Sequence, residues 1–437
     1  MKKNILMMTV FVLVSGAVMA QNLPGGVSMS FWGQMAFLPF ELRIDQNEPP
    51  GVDPWDKVTT AIGPGWGLRT NGATSISFRG NNNFIGFGLE IGVDETLRLG
   101  ENAFVWARPF GRWMRIDVGV FVENEFRGSG TLGMNFGGLS HLDPFNTDLI
   151  FNRFSSVSDN GDTAAALLRF FPIRGQNLTL AAYMSVRGSD FDPAPLNSSG
   201  PSLSSSIDRI QLLAAYRIRN VGLVRAQFLN APEFTYSGTP SDENLYGGKW
   251  ITSEWGEYNS ARYYNEFKRL EIAFKLTAVR NLNFDIGFKV PFPETREGVN
   301  YSAPILTAFT AGYKERNFTI DMTFAGWFGG GIDGPGRDIP FAEKIAVNLY
   351  PQYNFGFATL GGIIGADWRG IEIFNGSAAK NSENLDLIFG LYMTKKFNNG
   401  DIKGGFTYTI PDATNRLDNF RTIGWLRIPI VMEIYFW

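Results

Sequence analysis

Apolar residues recur at every second position along most of the chain, which is the period of a β-strand and not of a helix. From Ile85 to Val93 the odd positions are apolar, and glycine or glutamate stands between them. From Arg269 to Ala278 the even positions are apolar, whereas the odd positions include two basic residues and one acidic residue. Segments of this kind predict strands with one apolar face and one polar face.

The alternation predicts eighteen strands of about ten residues each, which is the length that a strand tilted by about 45° needs to cross a bilayer. Sixteen strands are the alternative count. The predicted strands span residues 27–37, 72–79, 84–93, 102–109, 113–122, 163–171, 178–187, 208–218, 221–229, 268–279, 282–290, 304–313, 318–328, 342–350, 355–366, 384–394, 402–410 and 422–437.

The connections between these strands alternate between long and short, so that one end of the structure would carry nine long loops and the other eight short turns. Transmembrane barrels of the outer-membrane type have long external loops and short periplasmic turns. In hydrocarbon every backbone polar group must pair internally, so an open sheet edge is excluded. The predicted fold is therefore all-β, a transmembrane antiparallel up-and-down β-barrel.

The first twenty residues predict an export signal. Lys2 and Lys3 precede an apolar stretch from Ile5 to Val14, and the small residues Val18 and Ala20 suit a cleavage site. No other predominantly apolar run reaches the roughly 18 residues that a membrane-spanning helix needs. We expect residues 1–20 to be a signal peptide and residues 21–437 to form a single barrel domain.

The chain resembles bacterial outer-membrane porins of 16 to 18 strands. The resemblance is carried by the signal peptide, the amphipathic strands, the aromatic end at Tyr435 to Trp437, and residues 102–128, which look like the lead into a porin's third external loop. It implies an outer-membrane location in a Gram-negative-type envelope and insertion by the outer-membrane assembly machinery, and it leaves a homotrimer possible. Alternate positions counted back from Trp437 include Glu433, which departs from the usual porin signature.

The resemblance also implies that the third external loop, residues 123–162, folds into the barrel and narrows a channel. Eighteen strands leave an aqueous lumen, so we expect passive diffusion of small hydrophilic solutes. An arginine-lined wall facing an acidic loop would set up a field across the narrow point. An alternative role for each arginine is a salt bridge to a wall acid such as Asp117 or Glu271. The candidate pore-lining residues are Arg115, Arg169, Arg187, Arg209, Arg217 and Arg225 on the wall, and Glu123, Glu125, Asp143 and Asp148 on the loop.

Other chemistry finds little support in the composition. The chain has 39 basic and 42 acidic residues, a formal net charge of -3 and no polybasic run, so we expect no nucleic-acid partner. It has no cysteine and one histidine, His141, which stands beside Ser140 without the third group that a catalytic arrangement needs. We therefore expect no enzyme activity, no bound cofactor and no metal site.

Three other functions stay open at this stage. The barrel could be a platform for an adhesin or receptor that works through its long loops. It could be a sugar-selective channel, because the loop at 230–267 contains seven tyrosine and tryptophan residues whose rings can stack on sugars. A lipid transporter is disfavoured, since only residues 21–26 precede the first strand and leave no room for a plug.

Overall fold

The structure is a computed structural model of the 437-residue chain. It describes residues 27–45, 58–63, 74–81, 83–93, 97–121, 163–172, 177–185, 210–230, 268–296, 298–302, 304–335, 337–340, 343–371, 384–410, 413 and 422–436. The predicted signal peptide at 1–20 and the predicted constriction loop at 123–162 lie outside the described residues.

The described residues are almost entirely strands, joined at one point by a single turn of 3-10 helix at Gly111–Trp113. No helix among them is long and apolar enough to cross a membrane. The strands are β1 (Val27–Asp45), β2 (Val58–Gly63), β3 (Thr74–Asn81), β4 (Ile85–Val93), β5 (Leu97–Ala107), β6 (Met114–Phe121), β7 (Thr163–Phe170), β8 (Leu178–Ser185), β9 (Gln211–Ile218), β10 (Gly222–Leu229), β11 (Arg269–Leu276), β12 (Leu282–Pro291), β13 (Glu294–Arg296), β14 (Val299–Ser302), β15 (Ile305–Glu315), β16 (Phe318–Phe328), β17 (Gly331–Gly334), β18 (Arg337–Pro340), β19 (Glu343–Asn354), β20 (Thr359–Ile371), β21 (Asn384–Phe397), β22 (Gly400–Ile410) and β23 (Thr422–Phe436).

The large sheet is a closed antiparallel barrel. It contains 19 strands, and the last strand, β23, pairs back on the first, β1. One of the 19, β2, pairs with β1 beyond the part of β1 that pairs with β3, so 18 strands form the circumference. Each of the eighteen predicted strands overlaps one of these, and the predicted fold class is confirmed. Short turns lie at one end, the short-turn end, and longer connections lie at the other, the long-loop end.

Some strand ends differ from the sequence prediction. The predicted strands 342–350 and 355–366 left residues 351–354 as a connection, but β19 continues to Asn354 and the turn follows it. Pro351 lies opposite Ile320 of β16, and Leu349 and Gln352 on either side of it keep one register with β20. Pro351 therefore lies within the paired part of β19 without a shift in register, although it has no backbone N–H to donate.

A second, four-stranded sheet was not predicted. It consists of β13, β14, β17 and β18, which belong to the two connections that join β12 to β15 and β16 to β19. Both connections are at the long-loop end, so this small sheet stands beside the rim of the barrel there. Its strands have three or four residues each, too few to show a period in the sequence.

The two faces of the barrel wall differ in polarity as the alternation predicts. Large apolar side chains on the outer face are exposed, among them Leu212, Ile272, Ile364 and Leu391. A continuous exposed apolar surface of this kind suits a surrounding hydrocarbon phase. Aromatic rings are exposed at the short-turn end, as expected for a ring of interfacial anchors. Tyr350, near the same end, is buried on the inner face of β19.

Candidate functional site

The inner wall of the barrel is the candidate functional site, and strand register decides which of its side chains meet. Arg115 of β6 lies directly opposite Arg169 of β7. Further round the wall, Arg225 of β10 lies opposite Ala215 of β9, and Arg217 lies opposite Leu223 near the short-turn end. These four predicted site residues are therefore on the inner face. The six others, Arg187, Arg209, Glu123, Glu125, Asp143 and Asp148, lie outside the described residues, as does His141.

The first inner-wall cluster joins two of the predicted arginines through one carboxylate. Asp117 of β6 is buried, and its Oδ1 accepts a hydrogen bond of 3.0 Å from Nε of Arg115. Nε of Arg169 lies 3.6 Å from Oδ2 of the same carboxylate. The salt-bridge alternative that we raised for these arginines therefore holds for both. Two cations share one anion, so this group of three carries a net charge of +1.

The indole ring of Trp106 on β5 packs against the Arg115 side chain of this cluster. The guanidinium carbon of Arg115 lies 4.6 Å from the centre of its indole ring, within the range of a cation–π contact. The ring lies against Gly86 of β4, where a Cβ atom would come within 2.5 Å of it. Because Gly86 has no side chain, the Trp106 indole can lie against the wall, and in that position its ring contacts the Arg115 guanidinium.

A second cluster lies on β11 and β12, and its ion pairs were not predicted from the sequence. Glu271 is 1% exposed, and its Oε1 accepts a hydrogen bond of 2.9 Å from Nε of Arg269. Nζ of Lys289, fully buried, is 3.5 Å from the same oxygen. Toward the short-turn end, Lys275 and Asp285 form an ion pair of 3.4 Å. Glu271, named above as an alternative partner for the predicted arginines, pairs here with Arg269 and Lys289.

Acidic groups prevail on another part of the wall. Asp367 of β20 lies directly opposite Asp386 of β21, and both side chains are buried. On β22 and β23, Nζ of Lys403 lies 3.5 Å from Asp401 and 3.4 Å from Glu433, so that two carboxylates share one cation. Eight strands separate β7 from β20 in either direction around the 18-strand circumference. The β6–β7 cluster and Asp367 of β20 therefore occupy opposite sides of the barrel, whereas only three strands lie between β12 of the second cluster and β20.

The seam between the first and last strands carries an inward-facing polar contact. Glu41 of β1 accepts a hydrogen bond of 3.0 Å from the indole N–H of Trp425 on β23. Its other oxygen lies 3.5 Å from Nε of Arg427, whose guanidinium carbon is 3.3 Å from the centre of the Trp425 ring. These contacts join residues 384 positions apart and fix the register at which the barrel closes.

No metal centre or catalytic arrangement emerges from these contacts. Over the ranges that the structure describes, no three histidine, aspartate or glutamate side chains come together as metal ligands. What the inner wall offers chemically is a set of fixed charges, with the basic β6–β7 cluster across the barrel from the acidic pair on β20 and β21. Such a wall can guide ions and polar solutes by its field.

No protein-family model and no curated protein matches the chain. Solved structures with a similar fold are outer-membrane proteins. Outer-membrane expressed OmpT of Vibrio cholerae is 11% identical with a TM-score of 0.44, over 95% of this chain and 100% of that one. An anion-selective porin from Comamonas acidovorans is 9% identical with a TM-score of 0.43, over 94% and 100%. Pseudomonas aeruginosa OpdQ is 10% identical with a TM-score of 0.46, over 94% and 98%. At these values, function has to be argued from this chain's own residues.

Proposed function

We propose that this chain forms an outer-membrane channel for the passive diffusion of small hydrophilic solutes. The observation that carries the proposal is a closed 18-strand barrel whose outer face is apolar and whose inner face bears ion-paired charges. A barrel of this strand number encloses more space than its wall side chains can fill, whereas eight strands do not. A lumen lined with charged groups is expected to be filled with water and to admit small polar solutes.

The proposal includes a narrowing of the channel by residues 123–162. In it, Glu123, Glu125, Asp143 and Asp148 face the arginines of the wall, Arg187 and Arg209 included. The described acids at Asp367 and Asp386 add a second source of negative charge, which lies opposite the Arg169 side of the barrel. With both signs present, we expect weak ion selectivity with a slight preference for anions.

The direct test is solute permeation by the refolded protein in liposomes, measured as the swelling rate in isotonic sugars of increasing size. Ala214 and Ala215 offer a matched pair, because Ala214 lies in phase with the exposed Leu212 and Ala215 faces Arg225 on the inner wall. Ala215→Trp should slow the larger sugars more than the smaller ones. Ala214→Trp, which adds the same side chain on the lipid side, should leave the rates unchanged. Swelling no faster than in protein-free liposomes would refute the proposal.

The alternatives act through segments outside the described residues and have separate signatures. A sugar-selective channel using residues 230–267 would give a swelling rate that saturates with one sugar. An adhesin or receptor would bind its target with no swelling at all. The assembly machinery as a partner, the homotrimer and the absence of a catalytic role stay predictions.

A further inference from the structure

Exposed cations are concentrated at the short-turn end of the barrel. They occur in or beside six of the short connections, as counted over the described residues. Glu315 is the one exposed acidic residue in the described part of those connections. The whole chain carries a formal net charge of -3, so this rim differs in sign from the protein as a whole. The cations that matter here are Arg112, Arg219, Arg280, Arg316, Lys395 and Lys396.

Turn geometry does not account for these arginines. Three hairpins turn on the same dipeptide, with Arg219, Arg280 or Arg316 followed by asparagine. Asn220 and Asn281 have φ of 59° and 68°, a conformation that asparagine tolerates better than most residues. The preceding arginine has no such role at the first two turns, and at the third Arg316 itself takes a φ of 49°, which is unfavourable for its side chain. The charge is therefore better explained by what surrounds the rim.

Exposed aromatic rings lie at the same level as the cations. Trp113 directly follows Arg112, and its ring is 55% exposed. Lys395 donates a hydrogen bond from Nζ to the backbone carbonyl of Phe357, whose ring is 67% exposed. Rings of this kind anchor a barrel at the boundary between hydrocarbon and headgroups. Cations one or two residues away from them are then at the depth of the lipid phosphates.

We propose that the short-turn rim is a binding surface for anionic phospholipid headgroups. Guanidinium and ammonium groups around the rim would pair with the phosphates of lipids such as phosphatidylglycerol. Peptidoglycan, the other anionic polymer that a rim could meet, lies beyond the headgroups and would not call for exposed aromatic rings beside the charges. The proposal requires a membrane-embedded barrel but no solute passage, so it can fail or succeed independently of the channel.

The test is lipid selectivity of the full refolded chain in phosphatidylcholine vesicles that contain a trace of spin-labelled lipid. We expect the motionally restricted fraction to favour spin-labelled phosphatidylglycerol over phosphatidylcholine by at least about twofold. The preference should shrink from 0.1 M to 1 M salt, as the screening length falls from about 10 Å to about 3 Å. The variant combining Arg112→Gln, Arg219→Gln, Arg280→Gln and Arg316→Gln, which keeps Lys395 and Lys396, should lower the ratio toward one.

The matched control replaces the same four arginines by lysine, which keeps the charges, and should retain the preference. A wild-type ratio of one, or a ratio that the salt step leaves unchanged, would overturn the proposal, and neither result depends on how the variants fold. Binding of the protein to isolated peptidoglycan that is lost in the glutamine variant, with no lipid preference in the vesicles, would overturn it in favour of the polymer.

Discussion

At the residue scale, Glu271 shows how the wall holds its charges. Its single carboxylate neutralises Arg269 and Lys289, and all three side chains are at most 2% exposed. Taking charges out of water is costly, and the cost is offset only when the ions pair closely. Removing the Glu271 carboxylate should therefore lower the free energy of unfolding by more than breaking one surface ion pair would.

We expect Glu271→Gln to lower the free energy of unfolding by about 3 to 5 kcal/mol, because two cations would remain buried without their carboxylate. The measurement is urea unfolding of the vesicle-inserted protein. The double variant Glu271→Gln with Lys289→Met removes one of the two cations as well and should recover part of the loss. A double variant less stable than Glu271→Gln would contradict this account of the cluster.

Gly86 tests the support beneath Arg115. We expect Gly86→Ala to displace the Trp106 indole, since the new Cβ would lie about 2.5 Å from the ring. Gly86→Ala should lower the free energy of unfolding by more than about 1 kcal/mol, because an extra group in a packed site usually costs about 1 to 3 kcal/mol. Gly111→Ala is the control. A Cβ atom at Gly111 meets nothing within 4 Å, so the cost expected there is the backbone strain that a φ of 62° imposes on alanine. A loss at Gly86 no larger than the loss at Gly111, measured by the same urea unfolding, would argue against a destabilising contact between the new Cβ and the indole.

The sequence predicted the direction of these side chains but not their partners. Period two in β11 assigned Arg269, Glu271 and Lys275 to one face, and the register confirms that face. The partner of Glu271 depends on how far β12 slides along β11, and that offset is set by the pairing of both strands within the closed sheet. A single strand's pattern contains no information about this offset.

At the element scale, strands were predictable because each has its own period, whereas small elements were not. All eighteen wall strands overlap their predictions. The four strands of the second sheet, and β2, were missed because three to six residues fix no period. The loop at 123–162, on which the predicted narrowing depends, is outside the described residues.

Two neighbouring residues of β15 test the assignment of its faces. Phe309 packs on the outer wall with its ring centre 5.0 Å from that of Phe324, and Thr310 lies on the inner wall opposite Asp285. Phe309→Arg should lower the unfolding free energy by about 2 to 4 kcal/mol, the cost of a cation near the middle of the bilayer. Thr310→Arg should cost much less, because the new guanidinium would lie on the inner wall opposite the carboxylate of Asp285.

The control for this pair is Phe309→Leu, which removes the stacked ring without adding charge and should account for about 1 kcal/mol of the loss. Unfolding is again followed in urea on vesicle-inserted protein. If Thr310→Arg proved the more damaging arginine, the two faces of β15 would have to be exchanged.

The direction of the barrel in its membrane is open to chemical labelling, because the chain has no cysteine of its own. We expect Asn300→Cys in β14, at the long-loop end, to react with a membrane-impermeant thiol reagent on whole cells. Asn398→Cys, in the short turn between β21 and β22, should react only after the cells are broken. The reverse pattern would place the long loops on the periplasmic side.

At the scale of the whole molecule, the distribution of charge around the wall should decide which ions pass. The β6–β7 cluster carries a net positive charge, and Asp367 and Asp386 lie on β20 and β21, across the barrel axis from it. Arg169 lies near the short-turn end and Asp367 nearer the long-loop end, so the field between them is oblique to the axis. An ion that crosses the lumen would feel both groups in turn.

Neutralising the two sides should therefore shift selectivity in opposite directions. Arg217→Gln with Arg225→Gln should move the zero-current potential in a salt gradient toward cations, because positive wall charge is lost. Asp367→Asn with Asp386→Asn should move it toward anions. Shifts of the same sign for the two double variants would show that these charges do not face the conducting path.

The most direct test of the account is the conductance of the single refolded protein in a planar bilayer. A water-filled 18-strand barrel should insert in discrete steps of current that is linear in voltage and rises in proportion to the conductivity of the salt solution. Ala215→Trp should reduce the step size, and Ala214→Trp should not. A protein that is folded and inserted, as heat-modified gel mobility and protease resistance would show, yet produces no current steps would contradict the channel itself.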